Sequence, residues 1–253
     1  MAVARYLLLI IAVLSPVALE AKSKAKNVGD YFTLCSRSDP NLGECIKNSM
    51  TKAKPKLIEG IPELQLVPLE PLHIPLLEFK DGQGNFEFHM TLRNLIVRGL
   101  KDFDVKDCKM DIDKGHLDMD IVTPQMNFEA QYEVDGKILV VPIQGNGDVV
   151  FNFTGVRTIA SIRTKTIQKD GQEYRPIEDL KWTIEVDKGQ SHFTNLFNGD
   201  KTLGDATNKF LNENHKEAFE TLKSLPEEAF GQFFKEMGNK IFAQYPIDEL
   251  FLK

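Results

Sequence analysis

The chain has 253 residues, of which 42% are hydrophobic and 27% charged, and its formal net charge is −6. That balance belongs to a folded globular protein rather than a disordered one. An acidic chain without a basic cluster offers no electrostatic footing for nucleic acid, so nucleic-acid binding is excluded as an expectation.

Residues 1–21 read as a secretory signal peptide. Arg5 supplies the positive charge, Leu7–Val13 the apolar run, and Ala18 and Ala21 the small residues near a cleavage point. The run is shorter than the ~20 residues a membrane helix needs. An uncleaved anchor is the lesser reading, and no stable membrane insertion is expected. Residues 22–253 contain no Ser/Gly/Pro linker and no low-complexity tract, so they read as one domain, expected to be monomeric and extracellular. Cysteine usage fits export: Cys35 and Cys45 flank a turn-rich string and should form a disulfide in an oxidising compartment. Cys108 shares the alternation of Met110 and Ile112 and reads as a buried free thiol, with an intermolecular disulfide as the lesser reading.

A helix is expected to start at Asp39-Pro40, with Asp39 as cap. It would run to Leu57 and Ile58, with a bend or interruption at Pro55, and stop at Gly60-Ile61-Pro62. Pro62, Pro68, Pro71 and Pro75 make the stretch 62–78 extended and irregular. Period-two alternation then dominates. Phe86, Phe88 and Met90 share one face; Met110 and Ile112 turn through Asp113-Lys114-Gly115 into Leu117, Met119 and Ile121. Met126, Phe128, Ala130, Tyr132 and Val134 lead to a hairpin turn expected at Asp135-Gly136, and Gly145-Asn146-Gly147 reads as a further connection before Val149, Phe151 and Phe153. A last turn is expected at Asp170-Gly171. Strands joined by short turns make an antiparallel sheet with one wet and one dry face. Asn152-Phe153-Thr154 is a glycosylation sequon, with Asn152 on the wet face.

From Thr202 to Tyr245 the period changes to three and four, with Leu203, Ala206, Phe210, Ala218, Leu222, Leu225, Ala229, Phe233, Met237 and Ile241 in one row. Leu211, Phe219, Phe230, Phe234 and Phe242 lie beside it. So wide an apolar stripe needs a partner. Ser224 and Glu227 form a capping box around Pro226, which predicts a kink there and two helical pieces. The fold class expected is α+β: a long C-terminal helix against an antiparallel sheet.

These segments together resemble the takeout and juvenile-hormone-binding protein family of insects. The resemblance is carried by Cys35-Ser36-Arg37 to Cys45-Ile46, by Gly60-Ile61-Pro62-Glu63-Leu64 and by Asp135-Gly136-Lys137-Ile138-Leu139-Val140-Val141-Pro142-Ile143 with Gly145-Asn146-Gly147. Its most specific part is Asn195-Leu196-Phe197-Asn198-Gly199 with Leu203-Gly204 and Phe210-Leu211-Asn212-Glu213-Asn214, and the ending Pro246-Ile247-Asp248-Glu249-Leu250-Phe251 agrees. Two departures stand out: the family often has tryptophan at the position of His215, and the second disulfide of dedicated hormone carriers cannot form with Cys108 alone. Both favour the takeout branch. The resemblance implies a long helix wrapped by a strongly curved antiparallel sheet, enclosing an elongated apolar tunnel.

The residues show no catalytic constellation. The five histidines are scattered, no Gly-x-Ser-x-Gly elbow occurs, and Asp111, Asp113, Asp118 and Asp120 fail the calcium-loop spacing. No metal and no cofactor are expected. The residues expected to line the tunnel are Phe86, Phe88, Met90, Met110, Met119, Phe128 and Phe151 from strands, with Phe210, Phe219, Phe230, Phe233, Phe234 and Met237 from the helix. Methionine and phenylalanine give an adaptable apolar wall. The function expected is a secreted, non-enzymatic carrier of a hydrophobic small molecule, such as a terpenoid, a fatty-acid-like or a juvenile-hormone-like compound. The alternative is a secreted interaction protein acting through its surface, with the interior a plain core.

Overall fold

The computed structural model describes residues 27–81 and 88–253. The leader assigned to residues 1–21 and the expected lining residue Phe86 lie outside the described residues, and of Phe88 only the backbone is described.

The architecture is α+β. Its antiparallel sheet is ordered β2 (Leu72–Asp81), β3 (Phe88–Arg98), β5 (His116–Ile138), β6 (Val141–Thr164), β9 (Ile177–Phe193), with β4 (Asp104–Asp111) also on β5. β3 and β4 lie end to end along one side of β5: β3 pairs with residues 127–135 and β4 with residues 116–122. The sheet is open, and among the described residues no pairing joins β2 to β9.

Strands β5 and β6 form one hairpin of 23 and 24 residues. The dry face changes phase half-way along it. On β5 the inward residues are Leu117, Met119, Ile121 and Thr123, then Met126 and Phe128; on β6 they are Phe151 and Phe153, then Val156, Thr158, Ala160 and Ile162. Pro124 and Gln125 are both exposed at the switch, and Pro124 and Gly155 make no pair there. Gly155 is at φ +62, and a Cβ on it would lie 2.0 Å from an Asp187 carboxylate oxygen. Only glycine fits a left-handed position that tight. The switch separates two apolar clusters, one around Tyr132, Val134 and Val149, the other around Val105, Leu117 and Ile162.

Helix α1 (Leu42–Glu59) packs on β4, and the C-terminal segment packs along β9 as α2 (Lys201–Glu213), α3 (His215–Leu222) and α4 (Ser224–Phe242). Helix α4 also touches β2, so it bridges the two opposite edges of the strand order. Edge strands expose unpaired backbone groups, and the helices cover those of β9 with side-chain amides. Asn208 accepts from Phe193 N–H and donates to Phe193 C=O, both at 2.9 Å. Asn212 does the same for Ser191 at 2.8 and 2.9 Å, and Asn239 for Ile177 at 2.7 and 3.1 Å. Each amide thus replaces one residue of a neighbouring strand.

The first and last strands meet. β10 (Phe251–Leu252), following α5 (Ile247–Leu250), pairs in parallel with β1 (Cys35–Ser36), and the Cys35–Cys45 disulfide ties β1 to α1. A small hairpin of β7 (Ile167–Lys169) and β8 (Gln172–Tyr174) turns at Asp170-Gly171 as the sequence predicts.

Several local expectations are corrected. Asp135-Gly136 is paired strand, opposite Gln144 and Ile143, and the turn is Leu139-Val140 with Leu139 at φ 57. Gly145-Asn146-Gly147 likewise lies within β6, opposite Val134, Glu133 and Tyr132. Residues 72–78 belong to strand β2, where Pro75 is tolerated because the strand is an edge. Helix α1 starts at Leu42 rather than at Asp39-Pro40; Asp39 caps the preceding turn through Asn41 N–H at 2.8 Å, and the helix passes Pro55. The C-terminal rod has three pieces, not two, breaking at Asn214 and Lys223. Pro226 sits in the first turn of α4, where a missing N–H costs little. No Ser224 capping box forms: Glu227 instead accepts from Ile184 N–H of β9 at 2.9 Å.

Candidate ligand-binding cavity

Between the inner face of the sheet and helices α1, α2, α3 and α4 lies a cavity of about 520 Å³. That is within the ~300–1,000 Å³ typical of small-molecule sites. It is long rather than round. Its β5 lining from Leu117 to Phe128 spans roughly 36 Å at ~3.3 Å per residue, whereas a sphere of 520 Å³ would be only about 10 Å across. The lining draws on both apolar clusters, so the cavity runs past the phase switch from one to the other.

Eight of the expected residues line it: Met90, Met119, Phe128, Phe151, Phe219, Phe230, Phe234 and Met237. Met110, Phe210 and Phe233 do not. Met110 packs against the cluster around Leu117, while Phe210 and Phe233 pack against the cluster around Tyr132, with the Phe233 ring edge-on to Phe234 at 5.3 Å. A helical stripe this wide holds more rings than one cavity wall accepts, and those on its flank become packing.

Sequence reasoning missed Phe79, Phe153, Ala160, Trp182, Phe242 and His215. Phe153 was legible, since it shares the parity of Phe151. Ala160 and Trp182 are cross-strand partners on β6 and β9, and their alternation is regular once the phase switch is known.

Rings touch along the sheet wall and across to the helices. Phe128 meets Phe153 at 5.7 Å and Phe230 at 6.1 Å, Phe153 meets Phe219 at 5.8 Å, and Trp182 stacks on Phe234 at 4.5 Å. Such contacts stabilise each pair by about 0.5–1.5 kcal/mol beyond area burial and keep the bore narrow. Polar lining is sparse: Asn212 is committed to Ser191, and His215 stands at the first turn of α3.

Reactive groups lie elsewhere. Burial pushes the Cys108 thiol up to about 11, with Asp107 adding to the effect, so it is neutral at physiological pH and a poor nucleophile. On β5 and β6, away from the inward-facing set, Ser161 donates to Asp118, whose other oxygen lies 3.0 Å from His116 Nε2. This is the wrong order for catalysis, because activating a serine needs the histidine between serine and aspartate. Asp120 is held below the usual carboxylate range by its hydrogen bond to Arg157, and Asp111 by Lys114. Those carboxylates are ion-paired. Asn152 is half-buried on the outer face, its Oδ1 accepting from Asn127 Nδ2 at 2.8 Å.

The sequence matches the family described as haemolymph juvenile hormone binding protein over residues 7–252. The chain belongs to that family. Among family relatives, the circadian clock-controlled protein daywake of Drosophila melanogaster is 29% identical over 206 residues, 77% of this chain and 78% of that protein. Daywake of Drosophila yakuba is 30% identical over 205 residues, covering 76% and 77%. The crystal structure of Epiphyas postvittana Takeout 1 superposes with a TM-score of 0.74 at 24% identity, over 87% of this chain and 99% of that one. The fold is therefore takeout-like, α+β with a large antiparallel sheet and C-terminal helices. Among the described residues no helix is long and apolar enough to cross a membrane.

Proposed function

We propose that this protein is a secreted, monomeric carrier that encloses one hydrophobic small molecule, a terpenoid, fatty-acid-like or juvenile-hormone-like compound, without chemically altering it. Residues 1–21 serve as the leader and 22–253 as a single ligand-binding domain. The observation that carries this reading is the long apolar cavity of about 520 Å³ between sheet and helices. A surface-acting protein with a plain core would have no use for it. Membership of a family described as hormone-binding supports the same reading.

The energetics need no dedicated polar contact. Burying some fifteen carbons gains ~12 kcal/mol at ~0.8 kcal/mol per methylene. Against an association cost of ~4 kcal/mol, that leaves micromolar affinity. Access is assigned to the seam between α4 and β2. Asn239 and Glu227 pin α4 to β9 by hydrogen bonds, whereas α4 meets β2 in the region of the apolar cluster that contains Leu77 and Phe79 of β2. Apolar contacts are non-directional and reseal after parting.

The test is uptake of N-phenyl-1-naphthylamine, read as a fluorescence increase, in the native protein and in Ala160→Trp. Ala160 is fully buried on the cavity wall beside Trp182, so an indole there fills the bore. Uptake by the native protein and at least a tenfold loss in the variant are expected. No uptake by the native protein would overturn the carrier reading.

A further inference from the structure

Within this apolar cavity, one lining residue carries a buried hydrogen-bonding atom that has no partner among the described residues. His215 opens α3 beside Gly189 of β9. Its Nδ1 lies 3.3 Å from the Asn212 carbonyl oxygen, which only accepts, so Nδ1 carries the proton. An imidazole that donates from Nδ1 presents its lone pair at Nε2. That atom is buried and makes no hydrogen bond among the described residues. Unpaired buried acceptors are rare and call for an explanation.

On that side the neighbours are Gly189, which carries no side chain, and the ring of Phe153. A Cβ on Gly189 would stand 4.0 Å from His215 Cδ2, the carbon bonded to Nε2, and 3.0 Å from the Phe153 ring. Phe153 and Phe219, in contact at 5.8 Å, are both lining rings that an incoming chain must part in any case. The local amides offer no competing partner, since Asn212 is spent on Ser191 and Asn214 donates to Phe210 C=O at 2.8 Å.

Resting on the carrier reading, we propose that His215 Nε2 is the polar anchor of the tunnel and accepts a hydrogen bond from a ligand hydroxyl. The preferred ligand is then a long-chain or terpenoid alcohol, in preference to the corresponding ether, ester or hydrocarbon. Nε2 gave up its water when the protein folded, so a ligand O–H that reaches it restores a bond at no further desolvation cost on the protein side. A carboxylate is disfavoured, because it carries a charge into an apolar bore and has no proton to donate.

The experiment is displacement of N-phenyl-1-naphthylamine by farnesol and by farnesyl methyl ether, in the native protein and in His215→Phe. Comparing the alcohol-to-ether affinity ratio between the two proteins cancels the ligands' different water solubilities. The ratio should fall about tenfold in the variant, equivalent to ~1.4 kcal/mol. A ratio unchanged within about twofold overturns the anchor while leaving the carrier reading intact. If neither ligand displaces probe that the native protein has taken up, the anchor is overturned and the carrier reading stands; if the native protein takes up no probe, the carrier reading falls and the anchor with it. Should the variant fold poorly, native protein labelled with ¹⁵N-histidine gives a second readout. The His215 Nε2 resonance should move with farnesol and not with the ether, and no movement with farnesol overturns the assignment.

Discussion

Replacing Asn208 with leucine removes the amide that closes the end of β9 while roughly preserving side-chain volume. Two hydrogen bonds of 2.9 Å are lost, and both Phe193 N–H and Phe193 C=O are left in a buried setting, with Phe193 itself only 4% exposed. Stranding two buried backbone groups costs about 2–4 kcal/mol in total. For a chain of this size each kcal/mol moves Tm by ~2–4 °C, so a fall of roughly 5–15 °C is expected by circular dichroism or calorimetry. Asn212→Leu removes the same pair of bonds at Ser191, which is only partly buried, and water can replace them. Its cost should be about half. The order is the signature of edge capping. A fall below about 2 °C for Asn208→Leu, or equal falls for both, would refute the claim that these amides substitute for a missing strand.

Removing the disulfide with Cys35→Ser and Cys45→Ser opens a loop whose ends are 10 residues apart. Loop entropy then predicts a loss of ~2–3 kcal/mol, read as a lowered denaturant midpoint at unchanged slope. Cys108, pushed up to about 11 from 9.0, should resist iodoacetamide at pH 8 in the native protein and react readily in guanidinium, scored by mass. Because its folded value lies above the unfolded one, its contribution to stability is complete below pH 9 and declines as pH rises through 9 to 11. Denaturant midpoints of native protein and Cys108→Ala should therefore converge over that window. Asn152, on the outer face with Thr154 exposed beside it, is expected to carry a glycan in secreted protein. Peptide-N-glycosidase treatment should lower the mass, and Asn152→Gln should abolish that shift.

The alternation of Phe128, Ala130, Tyr132 and Val134, and the three-and-four spacing of the C-terminal phenylalanines, made the two layers of the fold legible in the sequence. Turn positions were less so. Asp135-Gly136 and Gly145-Asn146-Gly147 have hairpin chemistry, yet long-range pairing between β5 and β6 carries straight through them, and the chain reverses at Leu139-Val140. The phase change at Pro124 interrupts the period-two alternation of β5. β5 is one strand whose inward face switches, with Gly155 supplying the conformation on the partner strand. Asn208, Asn212 and Asn239 carry no sequence signal for their role, because an edge-capping amide is defined only by the backbone it meets. The cavity was legible as an apolar helical stripe facing an apolar sheet face. Which rings line it was not, since Phe233 and Phe234 are adjacent and differ only by rotation about the helix. His215 was unreadable for a different reason: its significance lies in a lone pair that the fold leaves without a partner.

Native mass spectrometry of protein secreted by insect cells and mildly purified tests the central claim most directly. The account predicts a complex of one chain with one hydrophobic molecule, released by organic solvent, and reloading of the emptied protein with farnesol at one per chain. A bare chain mass before extraction, together with no farnesol uptake afterwards, would contradict it.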